Sequence, residues 1–389
     1  MFSRRTEWRL ETNQFSRALA ERRASGRQIF DLTLSNPARA QLEFDSTRIL
    51  TALCQPEVMD YDPQPLGLHA ARLAVSAYYR EHSVSIDPSA ILLTTSTSEA
   101  YSHVFRLLCD PGDEVLVAKP SYPLFEFLAD LQDVKLKGYP LLYDHGWQID
   151  FPSLVGQLSE RTRAIVVVHP NNPTGSYTSP AERSALAELC RKHQLALIVD
   201  EVFLDYRLPE SAARTFAGNR DALTFVLSGV SKISALPQMK LAWIVTSGSD
   251  ELQKVSLERL EVIADTFLSM NAPVQIAAPV LIGERKTIQP QLMARVRANL
   301  SELDRLLNDQ SACARLELQG GWYAVLRVPA VQSDEDLAIA LLREASVLVH
   351  PGHFYDFPQD GYLVLSLIVP QEEFREGCRR LLQWFQRDR

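Results

Sequence analysis

Short β-rich apolar runs alternate along the chain with longer amphipathic stretches. Seven runs stand out: ILLTT from Ile91, EVLVA from Glu114, VKLKGY from Val134, AIVVV from Ala164, LALIV from Leu195, ALTFVL from Ala222 and WIVTS from Trp243. Near-continuous apolar runs fit strands covered on both faces, and the amphipathic stretches between them supply the covering helices. The spacing predicts helices over 98 to 109, 180 to 193 and 249 to 263; the second opens with Ser179-Pro180, a capping residue followed by proline in the first turn. From about 275 the pattern changes to a long helical stretch reaching about 308, then RLELQGGWYAVLRVP, VLVHPG and GYLVLSLIV with helices between. The expected fold class is therefore α/β, a mostly parallel sheet covered by helices, followed by a smaller α+β part.

In an open sheet of this kind ligands bind at the carboxyl ends of the strands, so the residues just after each strand carry the candidate chemistry. Ser96-Thr97-Ser98 follows the first run and Lys119-Pro120-Ser121-Tyr122 the second. AIVVV leads into HPNNPTG, LALIV ends in Asp200, and ALTFVL leads into Ser228-Gly229-Val230-Ser231-Lys232. All five converge on one rim. Ser96 to Ser98 form a plausible phosphate seat at a helix N-terminus, or merely cap that helix. Asp200, closing a wholly apolar strand, is costly to bury without a positive partner, which implies a cationic ligand or an ion pair.

Composition narrows the functions. The chain has 389 residues, 46% hydrophobic and 23% charged, and can bury a large core. Lys plus Arg total 40 against 48 Asp plus Glu, a net charge of -8 without a long basic run, so small molecules are expected as ligands and nucleic acid is not. FSRRTEWRLETNQF after Met1 has no apolar core, and no apolar run reaches the roughly 18 residues that span a bilayer. The expectation is a cytoplasmic protein. Five scattered cysteines, without CxxC or a Cys/His cluster, predict a reduced compartment and no metal.

HPNNPTG, IVDEVF about 30 residues on, and SGVSK with KLAW eight residues past Lys232 together resemble the class I and II aminotransferases, fold type I pyridoxal phosphate enzymes. The likeness runs from SNPA at Ser35 through YDPQPLG at Tyr61 and TSTSEA at Thr95 to VHPGHF at Val349. It implies a seven-stranded, mostly parallel sheet in a large cofactor-binding domain over 45–280. A small domain would combine the arm 1–44 with 281–389. It implies transfer of an amino group between an amino donor and a 2-oxo acid. Lys232 would form the Schiff base with the cofactor aldehyde and shuttle the proton. Asp200 would keep the pyridine nitrogen protonated, making the ring an electron sink. Asn172 would donate to the ring hydroxyl, with an Asx turn as the alternative. Tyr122 would stack on the ring, or be a core tyrosine. Ser96, Thr97, Ser98, Ser231 and Lys240 would cradle the phosphate. Tyr61 would reach the phosphate of a neighbouring subunit, so a homodimer is implied. Asn36 and Arg39, in and after the SNP turn, are candidates for holding substrate; a solvated surface arginine is the alternative for Arg39.

The sequence departs from the family at four positions. Lys240 stands where most relatives carry arginine, giving the phosphate a point charge in place of a bidentate fork. Phe203 replaces a tyrosine that commonly bonds the ring hydroxyl, and Gly229 replaces a frequent phosphate-binding Ser or Thr. Val364 in GYLVLS occupies the position from which the family's arginine clamps the substrate carboxylate, a contact worth roughly 1.5–3 kcal/mol. His350 and His353 are possible contacts near the mouth, and Asp265 either attracts a second amino group or sits on a solvated helix face. Two other readings stand beside transamination: a lyase, decarboxylase or racemase with the same cofactor, and a non-catalytic protein that binds the cofactor or another phosphate ligand.

Overall fold

The computed structural model describes residues 1–8, 10–122, 125–208, 214–309 and 312–387, the last without its side chain. All seven apolar runs are strands of one sheet: β1 (Ile91–Thr94), β2 (Glu114–Lys119), β3 (Lys135–Tyr143), β5 (Thr162–Val168), β6 (Ala196–Asp200), β7 (Thr224–Gly229) and β8 (Ala242–Ser247). An eighth, β4 (Trp147–Ile149), folds back on β3 as an antiparallel edge. Three residues with a polar centre carry too little periodicity to announce a strand, and the hairpin partner creates it. The order across the sheet is β1-β8-β7-β6-β5-β2-β3-β4. Pairings β7–β6, β6–β5, β5–β2 and β2–β3 are parallel, whereas β8 runs against both its neighbours.

The continuous hydrophobicity of the central strands has its explanation in two cores. Leu197 and Val199 of β6 join Val167, Val226 and Trp243 on one face; Ala196 and Ile198 join Val166, Phe225 and Ile244 on the other. Successive side chains point to opposite faces, so a strand buried on both must be apolar at every position. Trp243, fully buried, still satisfies its indole through the Tyr79 hydroxyl at 3.1 Å.

Helices begin where capping chemistry allows. Pro180–His193 opens with a reciprocal capping box, Ser179 Oγ accepting from Glu182 N at 3.3 Å and Glu182 Oε2 from Ser179 N at 2.7 Å. The long stretch from 275 divides into two helices, Ala272–Gly283 and Arg285–Asn308. Glycine is the weakest non-proline helix former, and the division falls immediately after Gly283.

A third core lies beyond the sheet. Four antiparallel strands, β9 (Ala314–Arg315), β10 (Tyr323–Arg327), β11 (His350–Pro351) and β12 (Tyr362–Ser366), run in the order β9-β10-β12-β11. Phe15, Ala18 and Leu32 from the N-terminal segment pack with Val296, Phe374 and Leu381 in this core. Val202, Phe203 and Tyr206, just past β6, also belong to it, and Phe203 lies edge-on to Trp322 at 5.1 Å. The chain after β6 thus ties the sheet to the third core at the strands' carboxyl ends.

Leu197→Ala, in the fully buried centre of β6, is expected to lower the unfolding free energy by about 2–5 kcal/mol, read as a lower denaturant midpoint at unchanged slope.

Candidate functional site

The carboxyl ends of the strands meet a cavity of about 300 Å³. Lys232 enters it from the four-residue helix Val230–Ile233 that follows β7. The turn into that helix needs Gly229: a Cβ there would meet Leu241 O and the Ala242 side chain at 2.8 Å. Tyr206 fixes the lysine's backbone by donating its hydroxyl to Lys232 O at 2.5 Å. The ammonium faces the rings of Trp322 and Phe203, its Nζ 5.2 and 5.6 Å from their centroids. Desolvation lowers the Lys232 pKa to about 8, and the nearby Asp200 charge only partly opposes it.

Asp200 ends β6 at the floor of the same cavity. Its carboxylate accepts from Val202 N at 3.1 Å and from the Tyr101 hydroxyl at 3.2 Å. Burial nevertheless raises its pKa to about 6, with those two bonds and Lys232 pulling the other way. An acid and a base whose values are pushed towards each other across one cavity are a recurring mark of a reaction site.

The two asparagines after β5 divide the work between them. Asn171 builds the turn: its side-chain amide donates to Pro120 O at 3.1 Å and Thr174 Oγ1 at 2.9 Å, and its carbonyl accepts from Gly175 N at 2.8 Å. Gly175 holds φ +68, and a Cβ on it would lie 2.3 Å from Gly320 O. Asn172, relieved of that task, borders the cavity with its side-chain oxygen buried and without a partner. The Asn171 side-chain oxygen is buried without a partner too, but only Asn172 borders the cavity, where a ligand could satisfy it.

Tyr122, Thr97, Ser98 and Ser231 also border the cavity. Ser96 does not; its hydroxyl caps the helix Thr97–Leu108, accepting from Glu99 N at 3.2 Å. Lys240 is exposed in a left-handed conformation, φ 53, away from the cavity wall. Asn36 and Arg39 are likewise exposed and off the wall, Asn36 accepting from Ala38 N at 3.0 Å, while the adjacent Ser35 does border it. Tyr61 is 83% exposed and lies by a separate hollow beside Glu57 and Asp60. Asp265 and His353 are exposed, and Val364 is fully buried in the third core.

Tyr101, Tyr323, Phe354 and Tyr355 escaped the sequence reading. Tyr101 lies mid-helix, and the other three come from the third core, whose approach to the strand ends no local pattern announces.

A doubly covered sheet with a lysine, a carboxylate and an unsatisfied amide at its strand ends defines an α/β enzyme built to hold a polar ring-sized ligand. The sequence model "Aminotransferase class I and II" matches residues 33–381, and the chain belongs to that family. It is 28% identical over 375 residues to an alanine aminotransferase of Mycobacterium tuberculosis, covering 92% of this chain and 86% of the relative. A glutamate-pyruvate aminotransferase of Escherichia coli K12 is 24% identical, with 88% and 87% covered. The fold matches alanine aminotransferase from Pyrococcus furiosus with a TM-score of 0.89 at 23% identity, over the whole of both chains. Aspartate aminotransferase from Thermotoga maritima matches at 0.84 and 19%, covering 99% of this chain and 100% of that one. The fold is that of the fold type I aminotransferases, and the protein is an aminotransferase, a transferase that moves an amino group between a donor and a 2-oxo acid.

Two outcomes follow for the protein without added ligand. Between its unfolded value of 3.8 and its folded value of about 6, Asp200 holds more proton folded than unfolded, so its contribution to stability falls as pH rises through that window. Asp200→Asn is expected to remove that slope, on the order of 2–3 kcal/mol between pH 4 and 6, read by denaturation at the two pH values. Gly175→Ala is expected to cost at least about 1 kcal/mol, through both the strained φ and the clash, read as a lowered melting temperature.

Proposed function

We propose that the cavity seats pyridoxal 5'-phosphate and that Lys232 Nζ is the amine joined to it covalently. One observation carries this reading: Lys232, Asp200 and the unsatisfied Asn172 face a single cavity. When bound, the cofactor supplies an aldehyde that exchanges amines and a ring that stores the electron pair released at a substrate carbon. Asp200 would hold a proton on the ring nitrogen, and the pKa that burial raises to about 6 reflects the cost of keeping a carboxylate there without such a cation. Asn172 would direct its side-chain amide at the ring hydroxyl, the nitrogen donating, while its partnerless side-chain oxygen is placed to accept from the ligand. Tyr122, which borders the cavity, would stack on the ring. Thr97, Ser98 and Ser231 supply hydroxyls to the phosphate at the N-termini of two helices. Ser96 contributes by capping the first of them, and Lys240 adds positive charge from outside the wall.

Lys232 is also the proton carrier. A lysine whose pKa lies near 8 is partly unprotonated at neutral pH, so Nζ can take a proton from the substrate carbon and return it elsewhere. Phe203 leaves the ring hydroxyl without a second donor on that side. The donor and acceptor are small amino and 2-oxo acids, as the names of the relatives suggest, with Asn36 and Arg39 assigned to the entrance.

The reading includes a homodimer in which Tyr61 reaches its partner's phosphate. Its exposure away from its own cavity supports this, as does Leu268, an apolar side chain 39% exposed that lines the same hollow as Tyr61. Five free cysteines fit the reducing cytoplasm.

Lys232→Ala is expected to abolish the borohydride-sensitive absorption of the loaded protein and to slow amino transfer by ~10²–10⁴-fold or more; an unchanged spectrum and rate would refute the assignment. Tyr61→Phe is expected to leave the dimer intact in sedimentation while weakening cofactor retention by about tenfold, read by dialysis against competing phosphate.

A further inference from the structure

Amino transfer to a 2-oxo acid carries a carboxylate into the cavity, because every such acid has one beside its carbonyl. A carboxylate moved out of water without a cation costs several kcal/mol. Among the described residues no arginine borders this cavity, and the charged side chains on its wall are Asp200 and Lys232. Asp200 repels the anion, and Lys232 is committed to the cofactor. Val364 is fully buried and offers no charge.

Directly opposite Val364 in the β11–β12 register stands His350, which does border the cavity. Apart from Lys232, it is the one described side chain on that wall able to become a cation near neutral pH. Its Nδ1 lies 3.0 Å from the Tyr355 hydroxyl. That contact fixes the ring and leaves Nε2 without a hydrogen bond inside the described chain. Tyr355 and Tyr323, whose phenols burial keeps protonated, complete this end of the wall with neutral donors.

We propose that His350 is the residue that recognises the substrate carboxylate, becoming an imidazolium as the anion enters while Tyr355 orients the ring. The proposal rests on the cofactor occupying the Asp200 end of the cavity. Burial lowers the His350 pKa to about 4, so without an anion beside it the imidazole stays neutral near neutral pH. Asp31 pulls it upward; the other charges around it are Asp200 and Lys232 on the cavity wall and Asp334, which holds Gly361 N and Tyr362 N. The facing strand presents apolar Leu363 and Val364. An arriving carboxylate stabilises only the protonated ring and raises its pKa. The complex then binds more protons than the free protein from about 4 up to the raised value. Binding therefore takes up a proton, and affinity falls as pH rises through that window, by at most about tenfold per pH unit.

Pyruvate and 2-oxoglutarate, titrated calorimetrically into the cofactor-loaded protein without an amino donor, provide the test. Heats in two buffers of different ionisation enthalpy give the protons exchanged. Uptake approaching one proton at pH 6 is expected. His350→Gln keeps a hydrogen-bonding group but carries no charge; uptake should vanish and the dissociation constant rise about tenfold or more. His350→Arg should restore affinity without proton uptake. Absence of uptake in the unmodified protein, failure of both acids to bind, or the same uptake and affinity in His350→Gln would each overturn the proposal. The borohydride-sensitive band of Lys232 keeps the two readings apart: its presence in every variant reports intact cofactor seating, and its loss in the unmodified protein would defeat the cofactor assignment and this proposal together.

Discussion

The structure depends on one electrostatic tension, a carboxylate and an amine held away from water in the same cavity. Asp200 is driven towards its neutral form and Lys232 towards its neutral form by the same cause, desolvation. Mutual attraction opposes both shifts without cancelling them. Such a pair is expensive in an otherwise apolar fold, and the surroundings are arranged to sustain it. Val202 N and Tyr101 anchor the acid, Tyr206 holds the backbone of the base, and two aromatic faces receive the ammonium.

That arrangement requires a rigid frame. Asp200 and Lys232 sit at the ends of β6 and near the end of β7, adjacent parallel strands in fixed register, so sheet hydrogen bonding positions the two groups before any ligand arrives. The asparagine turn after β5 adds a third polar group from the next strand over. Preorganisation of this kind moves the cost of positioning from the reaction to the folding of the sheet. Gly175 and Gly229 serve the same end by letting backbones approach where a side chain would keep them apart.

Charge is distributed unevenly along the cavity. Thr97, Ser98 and Ser231 bring hydroxyls to its wall, and Asp200 and Lys232 the ionisable pair. The third core contributes uncharged aromatic side chains, Tyr323, Phe354 and Tyr355 among them. A wall whose added titratable group is an imidazole differs physically from one with a guanidinium, because an imidazole can be neutral near neutral pH and a guanidinium cannot.

The strands, the capped helix Pro180–His193 and the convergence of Lys232, Asp200 and Asn172 were legible because each depends on local rules. Strands buried on both faces are apolar throughout, helix caps need specific side chains, and strand ends in a parallel sheet share one rim. The edge strand Trp147–Ile149 was not, since a hairpin partner created it, whereas the division after Gly283 carried only a single glycine as its local signal. Sequence likewise left Ser96 between phosphate seat and cap, and a long-range fact decides that Tyr101 reaches Asp200. The chain by itself determined which residue types stand at the strand ends, because the chemistry of a residue is written in its identity. Only the tertiary structure left Ser96 and Lys240 off the cavity wall, and set His350, Tyr323 and Tyr355 on it with a lysine more than a hundred residues away from His350 along the chain. Burial and charge act through space, and a side chain's titration is fixed by neighbours that the linear order does not reveal.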